Sequence, residues 1–174
     1  MQDKTKKKMG AQTKKLVVTA LMAALSCVAT MVIEIPSPMK GYVNLGDSIV
    51  LTAGWLLSPV WGFCAAGIGS ALADLLSGYV IYVPATLIIK GLMAIVAYYG
   101  FALLHTKCGN LTSRIIGGIA AELVMIAGYF VFAGFLYGYG AAALNIPGNA
   151  VQGVVGIVIG IVLTQILEKS KISI

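Results

Sequence analysis

Charge is scarce in this sequence: Asp, Glu, Lys and Arg make up only 10% of its 174 residues. Soluble domains carry about 25%, so a water-exposed globular domain is excluded. Histidine occurs once, at His105, and with no partner cluster it reads as a solvated loop residue. There is no GxxxxGK[ST] phosphate loop, which excludes ATP binding of the usual kind. HExxH, CxxC and Ser/His/Asp sets are also missing, so an intramembrane enzyme is not expected. Cys27, Cys64 and Cys108 lack metal spacing. Cys27 and Cys64 fall in apolar runs, where cysteine packs as a small residue. No disulfide, metal site or cofactor is expected.

What is abundant is oil. Hydrophobic residues make up 59% of the chain and the mean hydropathy is +0.95. The length allows one domain. A crossing takes about 20 apolar residues, which leaves room for five or six helices and none for a soluble catalytic domain. The 21 glycines suit helices that approach closely in lipid.

The predicted fold is all-α: a bundle of six transmembrane helices with both termini cytoplasmic. The helices are predicted at Lys14–Ile33, Ser48–Leu57, Trp61–Leu76, Pro84–Leu104, Ser113–Phe135 and Pro147–Leu167. Residues 1–12 read as a Lys-rich, frayed cytoplasmic tail, 13–168 as the membrane domain and 169–174 as a second cytoplasmic tail. The first apolar run outlasts a signal peptide, and no clear small-x-small cleavage site precedes Glu34. Pro36 and Pro38 break the first helix, and Gly41 and Gly46 allow tight turns. Residues His105–Arg114 read as a basic loop, and Trp61 as an interfacial anchor.

The net charge of +6 is placed for lipid and topology, not for nucleic acid. With six helices, one side collects Lys4, Lys6, Lys7, Lys8, Lys14, Lys15, Lys107, Arg114, Lys169 and Lys171. The opposite loops hold only Lys40. The positive-inside rule then puts the first side in the cytoplasm.

Tyr42, Asn44, Asp47, Asp74, Lys90, Asn145, Asn149 and Gln152 all fall on the outer side or in the outer half. Buried charge costs roughly 2.5–3.5 kcal/mol even on the mildest membrane scale, so Asp74 and Lys90 invite a use. Asp74 ends a helix, where its charge opposes the dipole. Asp47 also fits as the N-cap or first-turn acid of the second helix. Lys90 has three readings: snorkelling outward, pairing with Asp74, or contacting a ligand. Glu122 reads as a buried acid. Asn149 and Gln152, three residues apart, share one helix face as glue between helices or as the rim of a cavity. Tyr79 and Tyr82 read as belt or pocket aromatics. Together these residues describe a capture pocket for an external solute. Ala20 and Ala24 form a small-xxx-small pair, which serves either packing inside the bundle or docking of another membrane subunit.

Several stretches, in order, carry a family resemblance: the Lys-rich start leading to Ala20 and Ala24, then YVNLGD at 42–47, GSALADLLSGY at 69–79, PATLIIKGLMA at 84–94 and PGNAVQG at 147–153. The chain resembles the substrate-binding S components of energy-coupling factor (ECF) vitamin transporters, from about Lys14 to Leu167. The resemblance implies a multi-pass subunit of the cell membrane that captures a vitamin outside. It then implies delivery through a membrane T subunit and two cytoplasmic ATPases. It places Tyr42, Asn44, Lys90, Asn149 and Gln152 in the pocket, with Asp74 beside them, and Ala20 and Ala24 on the docking face. The small, largely neutral polar set suits a flat heteroaromatic ring, with pyridoxine-type vitamers or the thiamine precursor hydroxymethylpyrimidine first and riboflavin second. The alternatives are a stand-alone proton-coupled transporter relaying through Asp74, Lys90 and Glu122, and an assembly protein without a ligand. Residues 1–87 and 88–174 show no clear repeat, which counts against the transporter alternative.

Overall fold

The computed structural model describes residues 2–36 and 42–170. In chain order the elements are α1 (Gln2–Val32), β1 (Ile35–Pro36), β2 (Tyr42–Val43), α2 (Gly46–Leu56), α3 (Pro59–Leu76), a 3-10 turn (Val80–Tyr82), α4 (Val83–Cys108), α5 (Asn110–Tyr137), the five-residue α6 (Tyr139–Ala143) and α7 (Ile146–Lys169). Five of the helices are long and apolar enough to cross a membrane, so the chain is a multi-pass membrane protein. Pro38, Lys40, Gly41 and Lys171, which figured in the loop and charge readings above, lie outside the described residues.

The sixth long element, α2, behaves differently. Its 11 residues reach only about 16 Å at 1.5 Å each, against a hydrocarbon core of about 30 Å. Nine of them are buried, Asp47, Ser48 and Thr52 among them. It is the axle of the bundle. Val50, Leu51 and Trp55 pack against Ala66 of α3, Ile89, Met93, Ala94 and Ala97 of α4, and Ala121 and Met125 of α5. Ala53 and Leu57 join Met22 of α1 and Ala65 of α3 in a second cluster. Gly54 lets α4 come close: a Cβ there would lie 2.7 Å from the Ala94 carbonyl oxygen.

α1 is longer than expected, beginning at Gln2. The Lys, Gln and Ala residues that precede Lys14 are good helix formers, so the apolar helix extends backwards through them.

The reading of 105–114 as a loop is corrected. α4 runs on to Cys108, Gly109 turns at φ 77°, and α5 starts at Asn110. One glycine in that conformation replaces a loop. His105 is therefore not a solvated loop residue. It sits in the last turn of α4 with Nδ1 3.0 Å from the Ala102 carbonyl, and its ring stacks on Phe101 at 5.1 Å. Arg114 is buried, pairs with Glu168 of α7, and lies 5.0 Å over the Phe101 ring.

The helices run alternately, so the β1–β2 hairpin, the 3-10 turn and α6 gather at one end. The 57–58 turn and Gly109 mark the other. Among the described residues the connections at the hairpin end carry no Lys or Arg, whereas Lys14, Lys15, Lys107, Arg114 and Lys169 lie toward the opposite end.

Candidate ligand-binding site

A hollow of about 520 Å³, counting its open mouth, lies at the hairpin end. Every connection at this end contributes to its wall. Tyr42 and Asn44 come from the hairpin segment, Asp74 from the last turn of α3, Tyr79 and Tyr82 from the connection to α4, and Thr86 from the start of α4. Tyr129 and Ala133 come from α5, and Asn145, Asn149 and Gln152 from the start of α7.

Proline explains part of the placement. Pro84 and Pro147 sit in the first turns of α4 and α7, where the missing N–H costs nothing. They start both helices so that Thr86, Asn149 and Gln152 fall within two turns of the hollow.

Asp74 is held by hydroxyls. The Tyr42 OH donates to Oδ1 at 2.6 Å, and Thr86 Oγ1 donates to Oδ2. Tyr129 Oη lies 3.0 Å from Thr86 Oγ1. With the Thr86 proton committed to Asp74, Tyr129 is the donor of that pair, so a chain of hydroxyls ends on the carboxylate. Tyr42 leans on Tyr79 with ring centroids 4.7 Å apart. Burial, reinforced by the charges of Asp74 and Glu34, pushes the Tyr42 phenol above its usual range. It therefore remains a neutral donor at physiological pH.

Asp47 and Lys90 are not on this wall. Lys90 pairs with Asp47, both are buried, and the pair stands behind the hollow. None of the three readings of Lys90 named this partner. Asp47 is in the first turn of α2 but makes no cap: the N-cap is Leu45, without a side-chain hydrogen bond. The Asn44 side chain serves that turn instead, its Oδ1 accepting from Gly46 N at 2.8 Å. Lys90 Nζ also lies 5.5 Å over the Tyr129 ring, which joins the two clusters.

Gln152 bridges wall and interior. Its Nε2 donates to Asp47 Oδ2 at 2.6 Å, and its Oε1 accepts from Asn44 N at 2.8 Å. Glu122, buried in α5, faces α7 where Gly153 and Gly156 leave room: a Cβ at Gly153 would lie 3.1 Å from its side chain. Its carboxyl lies beside Asp47: a Cβ at Gly156 would come within 2.9 Å of Asp47 Cβ and 3.2 Å of Glu122 Oε1, and among the described residues neither Glu122 oxygen accepts from a donor. Glu122 is absent from the lining of the hollow.

So the structure brings Tyr42, Asn44, Asp74, Asn149 and Gln152 together around one space, with Asp47 and Lys90 directly behind it. Thr86 and Tyr129 were missed. Thr86 follows Pro84 by two residues, which was a usable signal. Tyr129 sits mid-run in α5 and carries no local mark.

Ala20 and Ala24 lie elsewhere, on the outside of α1. Both are exposed, in a stripe with Leu16, Val17, Leu21, Leu25 and Val28. The inward face of α1 uses Ala23 and Ser26 against Gly69 and Ser70 of α3. Packing inside the bundle is therefore not what this alanine pair does.

The chain has relatives among known proteins. A family model described as the ECF-type riboflavin transporter S component matches residues 10–169. The chain is 38% identical over 143 residues to an uncharacterised protein of Pyrococcus woesei, covering 82% of this chain and 93% of that protein. It is 29% identical over 161 residues to the thiamine precursor transporter HmpT of Lactococcus lactis subsp. cremoris, covering 91% and 90% respectively. In fold it is similar to a solved structure of the S component of a bacterial ECF transporter, with a TM-score of 0.73 and 24% identity over 91% of this chain and 97% of the other.

Proposed function

The chain belongs to the ECF-type riboflavin transporter S-component family, and from that premise we propose that it captures a small heteroaromatic B-type vitamin or precursor. The pocket faces outside, both termini are cytoplasmic, and delivery runs through a T subunit and two ATPases. The hollow ringed by Tyr42, Tyr79, Tyr82, Tyr129 and the amides of Asn44, Asn145 and Asn149 is the observation that carries this reading. Phenol faces suit a flat ring, and amides suit its polar edge. The orientation rests on the described Lys and Arg residues toward the opposite end, under the positive-inside rule.

Asp74 favours a ligand that brings hydrogen-bond donors. Its carboxyl is the one acidic side chain among the residues lining the hollow, and an amino or hydroxymethyl group complements it. Hydroxymethylpyrimidine and pyridoxine-type vitamers come first on that ground, and the likeness to HmpT points the same way. Riboflavin is the second reading, favoured by the description of the matching family model. Purification in detergent followed by mass spectrometry of the extracted ligand separates them. A pocket that stays empty across a panel of B-type vitamins and precursors sinks the proposal.

The exposed Ala20/Ala24 stripe is the proposed docking face for the T subunit. Small residues let helix backbones approach in lipid, and leucine there fills the gap. Ala20→Leu or Ala24→Leu is expected to abolish uptake by cells and leave ligand affinity in detergent unchanged. Loss of affinity in either variant would remove the docking role.

A further inference from the structure

Gln152 lines the hollow, yet both ends of its carboxamide are already engaged by the protein. A carboxamide has two orientations, and its neighbours choose between them. On one side is the Asn44 N–H, which can only donate. On the other is Asp47 Oδ2, a carboxylate oxygen whose partner atom Oδ1 is taken by Lys90. One orientation satisfies both: Nε2 toward Asp47 and Oε1 toward Asn44. α7 reaches α2 closely enough for this because Gly156 has no side chain; a Cβ there would lie 2.9 Å from Asp47 Cβ.

We propose that Asp47 is a positioning residue for the ligand pocket: held by Lys90, it sets the polarity of Gln152 and so pins the Tyr42–Asn44 strand to α7. Gln152 then acts as a clamp on the wall rather than as a ligand contact. The consequence for the site is direct. Asn44 commits its Oδ1 to Gly46 N, so its amide donors are what it has left for an occupant. Their position depends on the backbone that Gln152 holds. Tyr42, two residues back, is fixed at its far end by Asp74. The strand is thus pinned at two points, one on each side of the hollow. This inference rests on the proposed ligand-binding role of the hollow only for its effect on affinity; the clamp itself is a property of the empty protein.

Atom-for-atom changes test it. Asp47→Asn offers one oxygen where two are needed. Turning that oxygen to Lys90 aims the new NH2 at Gln152, which must flip and set its own NH2 against the Asn44 N–H. Gln152→Glu instead sets two carboxylates face to face, and their repulsion drives the side chain at 152 away from Asp47 and off the Asn44 N–H. The double variant Asp47→Asn/Gln152→Glu restores every donor–acceptor pair and the net charge. Lys90 then donates to the oxygen of the new amide at position 47. The NH2 of that amide donates to one oxygen of the new carboxylate at position 152, and the Asn44 N–H donates to the other.

Hydrogen exchange of the peptide spanning Tyr42–Gly46, measured against α4 peptides of the same sample, reads the clamp without a ligand. Each single variant is expected to speed exchange at Asn44 by roughly tenfold or more, the loss of one buried hydrogen bond, and the double variant to recover to within about threefold of wild type. Titration with hydroxymethylpyrimidine and with riboflavin reads the pocket, and whichever binds the wild type should weaken and recover in the same pattern. If Asp47 is only a counter-charge for Lys90, Asp47→Asn lowers stability evenly and leaves relative protection at Asn44 unchanged, which overturns the proposal. Additive losses in the double variant overturn it too. If neither probe binds wild type while the exchange pattern holds, the proposed ligand class fails and the clamp stands.

Discussion

Asp47 and Asp74 are both buried carboxylates at the same end of the bundle, and they are stabilised by different means. Asp47 stands behind the hollow with an ammonium, Lys90, and the amide of Gln152. Asp74 stands in the wall with two hydroxyls, Tyr42 and Thr86, and no ion-pair partner among the described residues. A carboxylate with its own lysine has its charge answered before any ligand arrives. A carboxyl served only by hydroxyls has no countercharge of its own and is left to be answered by an occupant. The pair therefore separates a structural acid from a recognition acid, a division the sequence already hinted at by offering a helix-start role to Asp47 and none to Asp74.

The largest effect that would break this contrast is at Lys90. Removing one member of a buried ion pair strands the other. Lys90→Met is expected to cost about 3–5 kcal/mol of stability, read as a fall in melting temperature in detergent. Replacing both partners, as Lys90→Met with Asp47→Leu, should recover much of that loss. A melt unchanged in the single variant would mean that Asp47 does not depend on its lysine.

Asp74→Asn comes next and should act on binding more than on folding. The amide keeps one acceptor for Tyr42 or Thr86 but loses the charge and the second acceptor. Affinity for the extracted ligand is expected to drop by about 1–3 kcal/mol in calorimetric titration, with a smaller change in melting temperature than Lys90→Met. The reverse ranking would exchange the roles of the two acids.

Tyr42→Phe is the smallest and the sharpest. It removes one hydrogen bond to Asp74 and leaves the ring contact with Tyr79, a loss of about 0.5–1.5 kcal/mol in affinity. Because the Tyr42 phenol is held above its usual range, it stays protonated as pH rises through neutrality. The gap between wild type and variant should therefore be the same near about pH 7 and about pH 9. A gap that closes by the higher pH would show an ionising phenol.

Much of the fold was legible because hydropathy is a local sum. Runs such as 84–104 and 147–167 announced their helices from composition alone, and the breaks fell at Pro59, Pro84 and Pro147. What misled was punctuation. His105–Arg114 looked like a loop because it is polar and basic, yet cations in a last helical turn favour the helix and Gly109 turns the chain by itself. The candidate site was half legible. Tyr42, Asn44, Asp74, Asn149 and Gln152 showed as polar residues at one predicted depth. Tyr129 did not, since a tyrosine inside an apolar run looks the same whether it faces lipid or a cavity.

By itself the sequence determined that the chain lives in a membrane, that it is helical, where its long apolar segments lie, and that polar groups from distant segments share one end. Each follows from composition within a window of about 20 residues. That α2 is too short to cross came only with the structure. Only the tertiary structure decided that Lys90 answers Asp47 rather than Asp74, that Ala20 and Ala24 face outward, and that Gln152 ties α7 to the Tyr42–Asn44 strand. Those outcomes depend on how each helix is rotated about its axis. That rotation is set by close approaches such as Gly54 to Ala94 and Gly156 to Asp47, between residues far apart in the chain.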